Sequence, residues 1–392
     1  MTDTPAPRSP RLDSIDLLRG LVMVVMALDH TRDYFHDVSL QGVNPLDLAQ
    51  TTPALYFTRW ITNYCAPLFS FLAGTGIYLS ASRGKSKREL SWFLLTRGLW
   101  LILLELTFVK WAWSFGYDLN GNWGLVLWAL GWSMIVLAAL VHLPVRAVAA
   151  FGVIMIAGHN ALDGIKPDSF GSFVWLWQVL HVPGQFNITS GYTFLVMYPL
   201  VPWVGVMAAG YGFGEVIRLA PEQRRTWLLR LGLGLTAAFV ALRFSNLYGD
   251  PDRWSAAGGW RTIGSFLDCE KYPPSLLYLL MTIGPGMLLL AAFDRSTPGW
   301  LKPVLVFGRV PFFYYILHIP LIHGLAYAMH HWRHGIGNLD SFGSVPVPAG
   351  AGVSLPLTYL AWAATVAILY LPCRWFADYK ARHREVAWLS YF

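Results

Sequence analysis

One predicted helix carries several ionisable side chains within an otherwise apolar stretch. Arg19 lies near its start, and Asp29, His30, Asp33 and His36 lie toward its end. Residues three or four positions apart share a helix face, so His30 faces Asp33, and Asp33 faces His36. Arg19 and His30 lie on nearly the same face, roughly 16 Å apart along the axis. Ionisable groups at membrane depth cost about 2–3 kcal/mol each, so they usually line a polar cavity with a function.

This spacing is typical of acid–base chemistry. A histidine with a near-neutral pKa can remove a proton from an attacking hydroxyl or amine, which makes His30 a candidate general base. A carboxylate one turn away, Asp33 or Asp29, would fix its tautomer and stabilise the imidazolium. The alternative for the residues at the helix end, Arg32 and His36, is that they only reach toward interfacial water. The same buried set could also relay protons in a secondary transporter.

Other predicted spans contribute polar residues at comparable depth. In the second span, Pro67 removes a backbone donor and frees the carbonyl of Asn63, and Arg59 lies one turn before that residue. We expect Arg59 and Asn63 to line the cavity opened by the first helix and to contact substrate, with Arg32. His318 belongs to a span with two prolines and is a candidate second wall. Arg97, in the third span, either pairs with another helix or meets an anionic cofactor.

No metal centre is predicted from these patterns. His330, His331 and His334 have helical spacing compatible with a metal, but no acid or cysteine completes a set, so an interfacial cluster is expected. The three cysteines are scattered over different spans and loops and are expected to be structural.

The composition excludes an ordinary soluble protein. The chain has 392 residues, of which 55% are hydrophobic and 13% charged, and its mean hydropathy is +0.45. Soluble domains carry about a quarter charged residues, so these values indicate an integral membrane protein embedded in a lipid bilayer. The net charge of +7 arises from basic residues in the gaps between apolar runs. Because no basic stripe or nucleic-acid motif accompanies them, nucleic-acid binding is not expected.

Apolar runs of about 20 residues predict an all-α, polytopic membrane bundle of about ten transmembrane helices. They lie near 17–36, 53–80, 92–113, 122–141, 145–161, 192–214, 227–247, 273–293, 304–329 and 353–373. The apolar segment 171–182 is too short to span and predicts an interfacial or re-entrant helix. Residues 1–10 are expected to be a disordered cytoplasmic tail, and residues 11–392 a single membrane domain.

Basic residues predict the orientation of these spans. They are concentrated in alternate gaps, whereas the intervening loops 37–52 and 114–121 contain neither lysine nor arginine. By the positive-inside rule both termini are cytoplasmic, and loop 37–52 faces outward. The sequence leaves open whether the chain forms a homo-oligomer.

Short segments along the whole chain resemble a known membrane family. They are SIDLLRG at 14–20, LDHTRD at 28–33, YCAP at 64–67, FLAG at 71–74, YPLVPW at 198–203, YPPS at 272–275, GRVP at 308–311 and WLSY at 388–391. With them the chain resembles heparan-α-glucosaminide N-acetyltransferase-type catalytic domains, most closely the bacterial branch. The spacing of Arg19 and His30 also resembles the signature of membrane sugar O-acyltransferases, whose histidine is taken as catalytic.

The resemblance implies a membrane acyltransferase that moves an acetyl group from cytoplasmic acetyl-CoA to a sugar amine or hydroxyl outside the cell. In that case Arg19 and Arg97 would guide acetyl-CoA, and the bacterial inner membrane is the expected location. The family's lysosomal enzymes have a large lumenal domain that this sequence lacks. Their catalytic histidine lies in the first outer loop, where this chain has only His36. Whether His30 or His36 is the base, and whether the acceptor is an amine or a hydroxyl, stay open.

Overall fold

The computed structural model describes residues 12–116, 120–295, 297–335, 347–348, 350–383 and 385–392. The predicted tail, residues 1–10, lies outside them. Ten long helices make up most of the described chain. They are α1 (Asp13–Phe35), α2 (Pro53–Ala81), α3 (Lys87–Ser114), α4 (Val126–Leu140), α5 (Val145–Leu162), α6 (Leu200–Ile217), α7 (Pro221–Ser245), α8 (Leu276–Arg295), α9 (Pro311–His334) and α10 (Leu355–Arg382).

Eight of these helices are long and apolar enough to cross a membrane, namely α2, α3 and α5 to α10. α4 is apolar but shorter, and α1 carries the ionisable residues discussed above. Both pack among the others, α4 against α3 and α1 against α2, α8, α9 and α10. The prediction of a polytopic helical membrane protein is confirmed, and the ten helices correspond to the ten apolar runs.

Local sequence signals explain where several helices begin. Ser86 accepts a hydrogen bond from the backbone N–H of Glu89, whose carboxylate accepts one from the Ser86 N–H, and this capping box starts α3. Thr52 caps α2 by accepting from the N–H of Leu55, and Pro53 occupies the first helical position. In α1, acidic residues in the first turn and Arg32 in the last turn complement the helix dipole.

Three predicted spans differ from the observed helices in their details. The run 304–329 is interrupted, because Val310 leaves helical geometry and separates the short helix Lys302–Arg309 from α9. The run 192–214 begins as a strand, and α6 starts at Leu200. In α3, the residues 105–109 form a π-helical turn, in which the Glu105 carboxylate accepts hydrogen bonds from the N–H groups of Leu127 and Trp128 at the start of α4. Such turns are frequent at functional sites.

The two ends of the helical bundle are called the Arg19 side and the His36 side, after the residues that lie toward the two ends of α1. Several helices pack closely through glycine. Gly74 of α2 and Gly210 of α6 lie so near the facing backbones that an added Cβ would be 2.1 Å from a carbonyl oxygen of the other helix. Glycine at these two positions therefore permits the close packing of α2 and α6. Gly20 of α1 meets the carbonyl of Val304 at the same distance.

A three-stranded sheet covers part of the His36 side and was not predicted. It consists of β1 (Gly121–Gly124), β2 (Gly184–Thr189) and β3 (Tyr192–Val196) in the order β1-β3-β2, with β1 parallel and β2 antiparallel to β3. The expected helix in 171–182 is present as Val174–Leu180, preceded by a 3₁₀ segment at Pro167–Phe173. Sheet and short helices lie between the ends of α3 and α5 and the start of α6.

Candidate active site

His30 lies among aromatic and acidic side chains near the His36 side of α1. Its Nδ1 is 3.7 Å from Oδ2 of Asp33, and its ring meets the ring of Trp113 edge-on with centroids 4.8 Å apart. The other Asp33 oxygen accepts a 2.6 Å hydrogen bond from Arg32. Asp33 is thus the carboxylate beside His30, one helical turn away as the spacing predicts. The arrangement can hold an imidazole in place and stabilise it when protonated.

Asp29 is surrounded by cations. Its Oδ1 is 2.8 Å from Nη1 of Arg32 and 3.9 Å from Nε of Arg59 on α2. Lys271, in the loop before α8, adds a third positive charge that acts on Asp29. A carboxylate removed from water is stabilised when such partners surround it. Asp29 therefore joins α1 to α2, whereas Asp33 is the acid next to His30.

His318 of α9 lies next to His30. Its ring centroid is 5.2 Å from that of His30, and the side chain is fully buried. Nδ1 lies 2.5 Å from the carbonyl oxygen of Tyr315, which can only accept, so Nδ1 carries the proton. Nε2 then holds a lone pair, and it is buried without a hydrogen-bond partner. Buried polar atoms are normally paired, so this nitrogen is available to a bound molecule.

The second span contributes Arg59 and Asn63 as expected. Arg59 donates to Oγ1 of Thr62 at 2.9 Å and to Oδ1 of Asn63 at 3.0 Å, in the 3₁₀ turn Ile61–Tyr64. The Asn63 carbonyl, predicted to be freed by Pro67, accepts a 2.7 Å hydrogen bond from the Tyr278 hydroxyl of α8. These contacts fix the guanidinium of Arg59 toward Asp29.

Sequence reasoning missed several residues beside this cluster. Tyr272 packs against Tyr198 with ring centroids 5.3 Å apart, and its hydroxyl influences Arg59 electrostatically. Tyr315 and Trp113 contact the two histidines from α9 and α3. The one sequence signal was that Tyr198 and Tyr272 open two of the segments that carry the family resemblance. Nothing in the local sequence identified Lys271.

Arg19 and Arg97 lie at the Arg19 side. Arg19 donates a 2.7 Å hydrogen bond to the carbonyl of Leu72 and is 3.7 Å from Asp16. Arg97 donates to the carbonyl of Ser390 at 2.5 Å, while its Nε is buried without a hydrogen-bond partner. The two guanidinium groups are near enough to repel each other. Such a pair of cations favours an anion between them.

A depression of about 480 Å³ lies beside Arg97. Its lining includes Phe93 of α3, Lys380 of α10, and Ala387, Leu389, Ser390 and Tyr391 near the C-terminus. The ammonium group of Lys380 and the aromatic rings are compatible with a nucleotide, although the lining also contains the carboxylate of Glu89.

His36 is placed apart from the His30–His318 pair by its own contacts. Its Nδ1 is 3.3 Å from Oδ1 of Asp37, and its backbone forms a bridge with Val353 at the start of α10. The structure thus brings together seven of the ten predicted site residues: Asp29, His30, Arg32, Asp33, Arg59, Asn63 and His318. Arg19 and Arg97 form a second group, and His36 belongs to neither group.

Comparison with known families identifies the family of the chain. No curated protein matches the chain. The sequence profile described as "Heparan-alpha-glucosaminide N-acetyltransferase, catalytic" matches residues 11–242, which is more than half of the chain and includes α1 to α6 with nearly all of α7. The matched range holds Arg19, Arg97 and the cluster residues on α1 and α2, whereas His318 lies outside it. The chain therefore belongs to the heparan-α-glucosaminide N-acetyltransferase catalytic family of membrane transferases.

Proposed function

We propose that the protein transfers an acetyl group from acetyl-CoA, bound at the Arg19 side, to a sugar amine or hydroxyl bound at the His36 side. The observation that carries this proposal is the pair of histidines, His30 and His318, held 5.2 Å apart beside Asp33 at one end of α1. Membership of the family supports transferase chemistry. A helix that carries cations at one end and a histidine–carboxylate pair at the other suits a reaction between molecules on opposite sides.

His30 acts as the general base in this proposal. It takes the proton from the acceptor nitrogen or oxygen as that atom forms a bond to the acetyl carbonyl carbon. The carbon–sulfur bond of the thioester breaks, and the leaving thiolate takes a proton from the imidazolium, so that free CoA and the acetylated sugar result. Asp33 stabilises the imidazolium meanwhile. Nε2 of His318 accepts a hydrogen bond from a second polar group of the bound molecules.

Acetyl-CoA fits the Arg19 side by charge. Its phosphates would meet Arg19 and Arg97, whose guanidinium groups already approach each other. The carboxylate of Asp16 is 3.7 Å from Arg19, so an incoming phosphate would share this guanidinium with it. The nucleotide would then occupy the depression beside Tyr391 and Lys380. From there the pantetheine arm would have to extend along α1 to bring the thioester to His30, roughly 16 Å from Arg19.

The acceptor fits the His36 side by hydrogen bonding. Arg32, Arg59, Asn63 and Lys271 offer donors and acceptors around Asp29, and sugar hydroxyls bind to such groups. Aromatic rings of Tyr272 and Trp113 border the same region, and ring faces suit the apolar faces of sugars.

Purified protein tests the activity directly. Detergent-solubilised wild type is incubated with acetyl-CoA and glucosamine, or with N-acetylglucosamine as the hydroxyl acceptor, and CoA release and acetylated sugar are measured. We expect turnover in wild type and a loss of about 10²- to 10⁴-fold in His30→Ala, the usual contribution of a general base. His331→Ala is the matched control, because this exposed histidine lies on the same helix as His318.

Turnover above about a tenth of wild type in a folded His30→Ala protein would reject the base assignment. Wild type that transfers no acetyl group, yet moves protons across proteoliposome membranes in a His30-dependent way, would favour the transporter alternative.

The direction of transfer requires its own test. We expect both termini and residues 81–91 in the cytoplasm, with 37–52 outside. Ser82→Cys and Gln41→Cys suit accessibility labelling, since both positions are exposed and the three native cysteines are buried. Ser82 is preferable to Ser86, which caps α3. Labelling of Gln41→Cys by a membrane-impermeant reagent applied only to the cytoplasmic face would reverse the assignment.

A further inference from the structure

A second cluster of titratable residues lies on the His36 side. His159 is in the last turn of α5, Asp163 follows that helix, and His181 follows the short helix Val174–Leu180. One potential ligand atom of each residue lies within 4.8 Å of the other two. The closest pair is Nε2 of His181 and Oδ1 of Asp163, 3.1 Å apart. None of these three residues takes part in the proposed transfer.

Both histidines are buried with nitrogen atoms that lack hydrogen bonds. His159 is 2% exposed and His181 is 1% exposed. The carbonyl of Pro274 influences His159, but neither ring nitrogen of His159 completes a hydrogen bond, and Nδ1 of His181 has no partner either. Unpaired buried nitrogens are uncommon, and in His159 they indicate a ligand that accepts the lone pair of one ring nitrogen.

The carboxylate of Asp163 is oriented toward the two histidines by a neighbouring side chain. Oδ2 of Asp163 accepts a 2.8 Å hydrogen bond from Nδ2 of Asn160, which turns Oδ1 toward His181. A neighbouring amide that orients a ligating carboxylate, and a carbonyl near a ligating imidazole, are usual around metal sites. The Asp163 side chain is 26% exposed, which gives an ion a path from solvent.

We propose that His159, Asp163 and His181 bind one Zn²⁺ ion. Two imidazole nitrogens and one carboxylate oxygen form a common protein ligand set for zinc, and a water molecule would complete the tetrahedron. Zinc bonds of about 2.0–2.2 Å put neighbouring ligand atoms roughly 3.3 Å apart. The Asp163–His181 pair is close to this separation, and the ligand atom of His159, within 4.8 Å of both, would have to move closer when the ion binds. Mg²⁺ and Ca²⁺ prefer oxygen ligands, so the two imidazoles disfavour them.

The ion would have a structural role. It ties the end of α5 to the short helix Val174–Leu180, in which the ring of Trp177 lies 4.8 Å from that of His181. The same turn of α5 holds the beginning of α8, because Oδ1 of Asn160 accepts a 2.8 Å hydrogen bond from the N–H of Leu276. Tyr272 lies four residues before Leu276. The zinc would therefore fasten the outer loops that surround the cluster at His30, whether or not the protein transfers acetyl groups.

Metal content and stability test the site on full-length protein carrying a tag without histidine. The protein is stripped with a chelator, loaded with ZnCl₂, desalted, and analysed by mass spectrometry for zinc. We expect about one equivalent in wild type, and an increase of about 5 °C in Tm at saturating zinc. His159→Ala and His181→Ala should weaken zinc binding at least about 100-fold. Cobalt substitution should give the visible absorption of a tetrahedral site.

Two controls separate this site from other histidines. His142→Ala removes an exposed histidine, and the double variant His331→Ala/His334→Ala removes the exposed pair at the end of α9; both should retain one zinc. If an alanine variant does not fold, Asp163→Asn keeps the shape and the hydrogen bond from Asn160 but loses the charge, and it should bind zinc more weakly. Wild type without stoichiometric zinc, or full zinc retention in a folded His159→Ala protein, would overturn the proposal.

Discussion

The substitution Asp33→Asn tests the part of the site on which the proposed chemistry depends most. Asparagine keeps the size of the side chain and can still accept the hydrogen bond from Arg32 that Asp33 accepts at 2.6 Å. It removes the negative charge 3.7 Å from Nδ1 of His30. A protonated His30 would then lose its nearest anion, whereas neutral His30 would be little affected.

The size of the effect follows from this distance. Two unit charges 3.7 Å apart attract each other by about 1 kcal/mol in water and by about 4.5 kcal/mol at an effective dielectric constant of 20. Asp33 is 31% exposed and shares its charge with Arg32, so the lower part of this range applies. A loss of about 1–2 kcal/mol in the transition state, where the imidazolium forms, reduces kcat about 5- to 30-fold. Acceptor affinity should change little.

Steady-state acetyl transfer at saturating acetyl-CoA, with Tm measured in parallel, is the assay. Asp37→Asn is the matched control, because Asp37 is the neighbouring carboxylate but pairs with His36, at 3.3 Å. We expect Asp37→Asn to retain wild-type kcat.

The comparison also decides between the two histidines. A loss of kcat in Asp37→Asn with unchanged kcat in folded Asp33→Asn would refute the assignment of His30 and make His36 the base. Equal losses in both variants would show that helix-end electrostatics, rather than a specific pair, govern the rate.

Three further changes test other parts of the structure. Arg19→Ala should weaken acetyl-CoA binding about tenfold or more by calorimetry, since a charge-assisted bond contributes roughly 1.5–3 kcal/mol, and Arg19→Lys should recover only part of it; unchanged affinity would make Arg19 a packing residue. Tyr278→Phe leaves the buried carbonyl of Asn63 without its 2.7 Å hydrogen bond and should lower stability by about 1–3 kcal/mol in thermal or chemical unfolding; an unchanged Tm would mean that water replaces the bond. Burial raises the pKa of Asp268, in the loop before α8, to about 6. Because the folded pKa exceeds the unfolded one, the ionised form destabilises the protein above pH 6, and this cost disappears below about pH 4. Asp268→Asn should therefore be more stable than wild type at pH 8, by about 1–2 kcal/mol after solvent screening, and equally stable near pH 4; a difference independent of pH would contradict the assigned pKa.

The sequence was most informative about the candidate site residues that lie together on one helix, α1. Helical periodicity alone placed His30 next to Asp33, and the structure has these residues one turn apart. The membrane-spanning helices were recognised because a run of about 20 consecutive apolar residues is typical of a helix that crosses a bilayer. The carbonyl of Asn63, which is free of an intrahelical partner and accepts a hydrogen bond from Tyr278, was also foreseeable, because the backbone donor that Pro67 lacks would lie four residues later.

Contacts between distant segments could not be predicted in the same way. Lys271 acts on Asp29 although the two residues are far apart in sequence, and nothing in an outer loop indicates such a neighbour. The role of Glu105 as an acceptor for the first N–H groups of α4 depends on a π-helical turn that has no sequence signature here. The sheet was missed because its strands are short and lie beside apolar runs that were assigned to helices.

The fixed orientation of α1 about its own axis allows its side chains to reach both ends of the proposed pathway. At the Arg19 side, Gly20 and Gly308 place α1 in backbone contact with the short helix Lys302–Arg309, where any added Cβ would collide. At the His36 side, the hydroxyl of Tyr34 donates a 2.5 Å hydrogen bond to the carbonyl of Trp113. A helix fixed at both ends cannot turn about its axis. Successive residues of a helix are about 100° apart, so a rotation of α1 by one residue would carry His30 away from His318. The two contacts therefore hold His30 in its position beside His318.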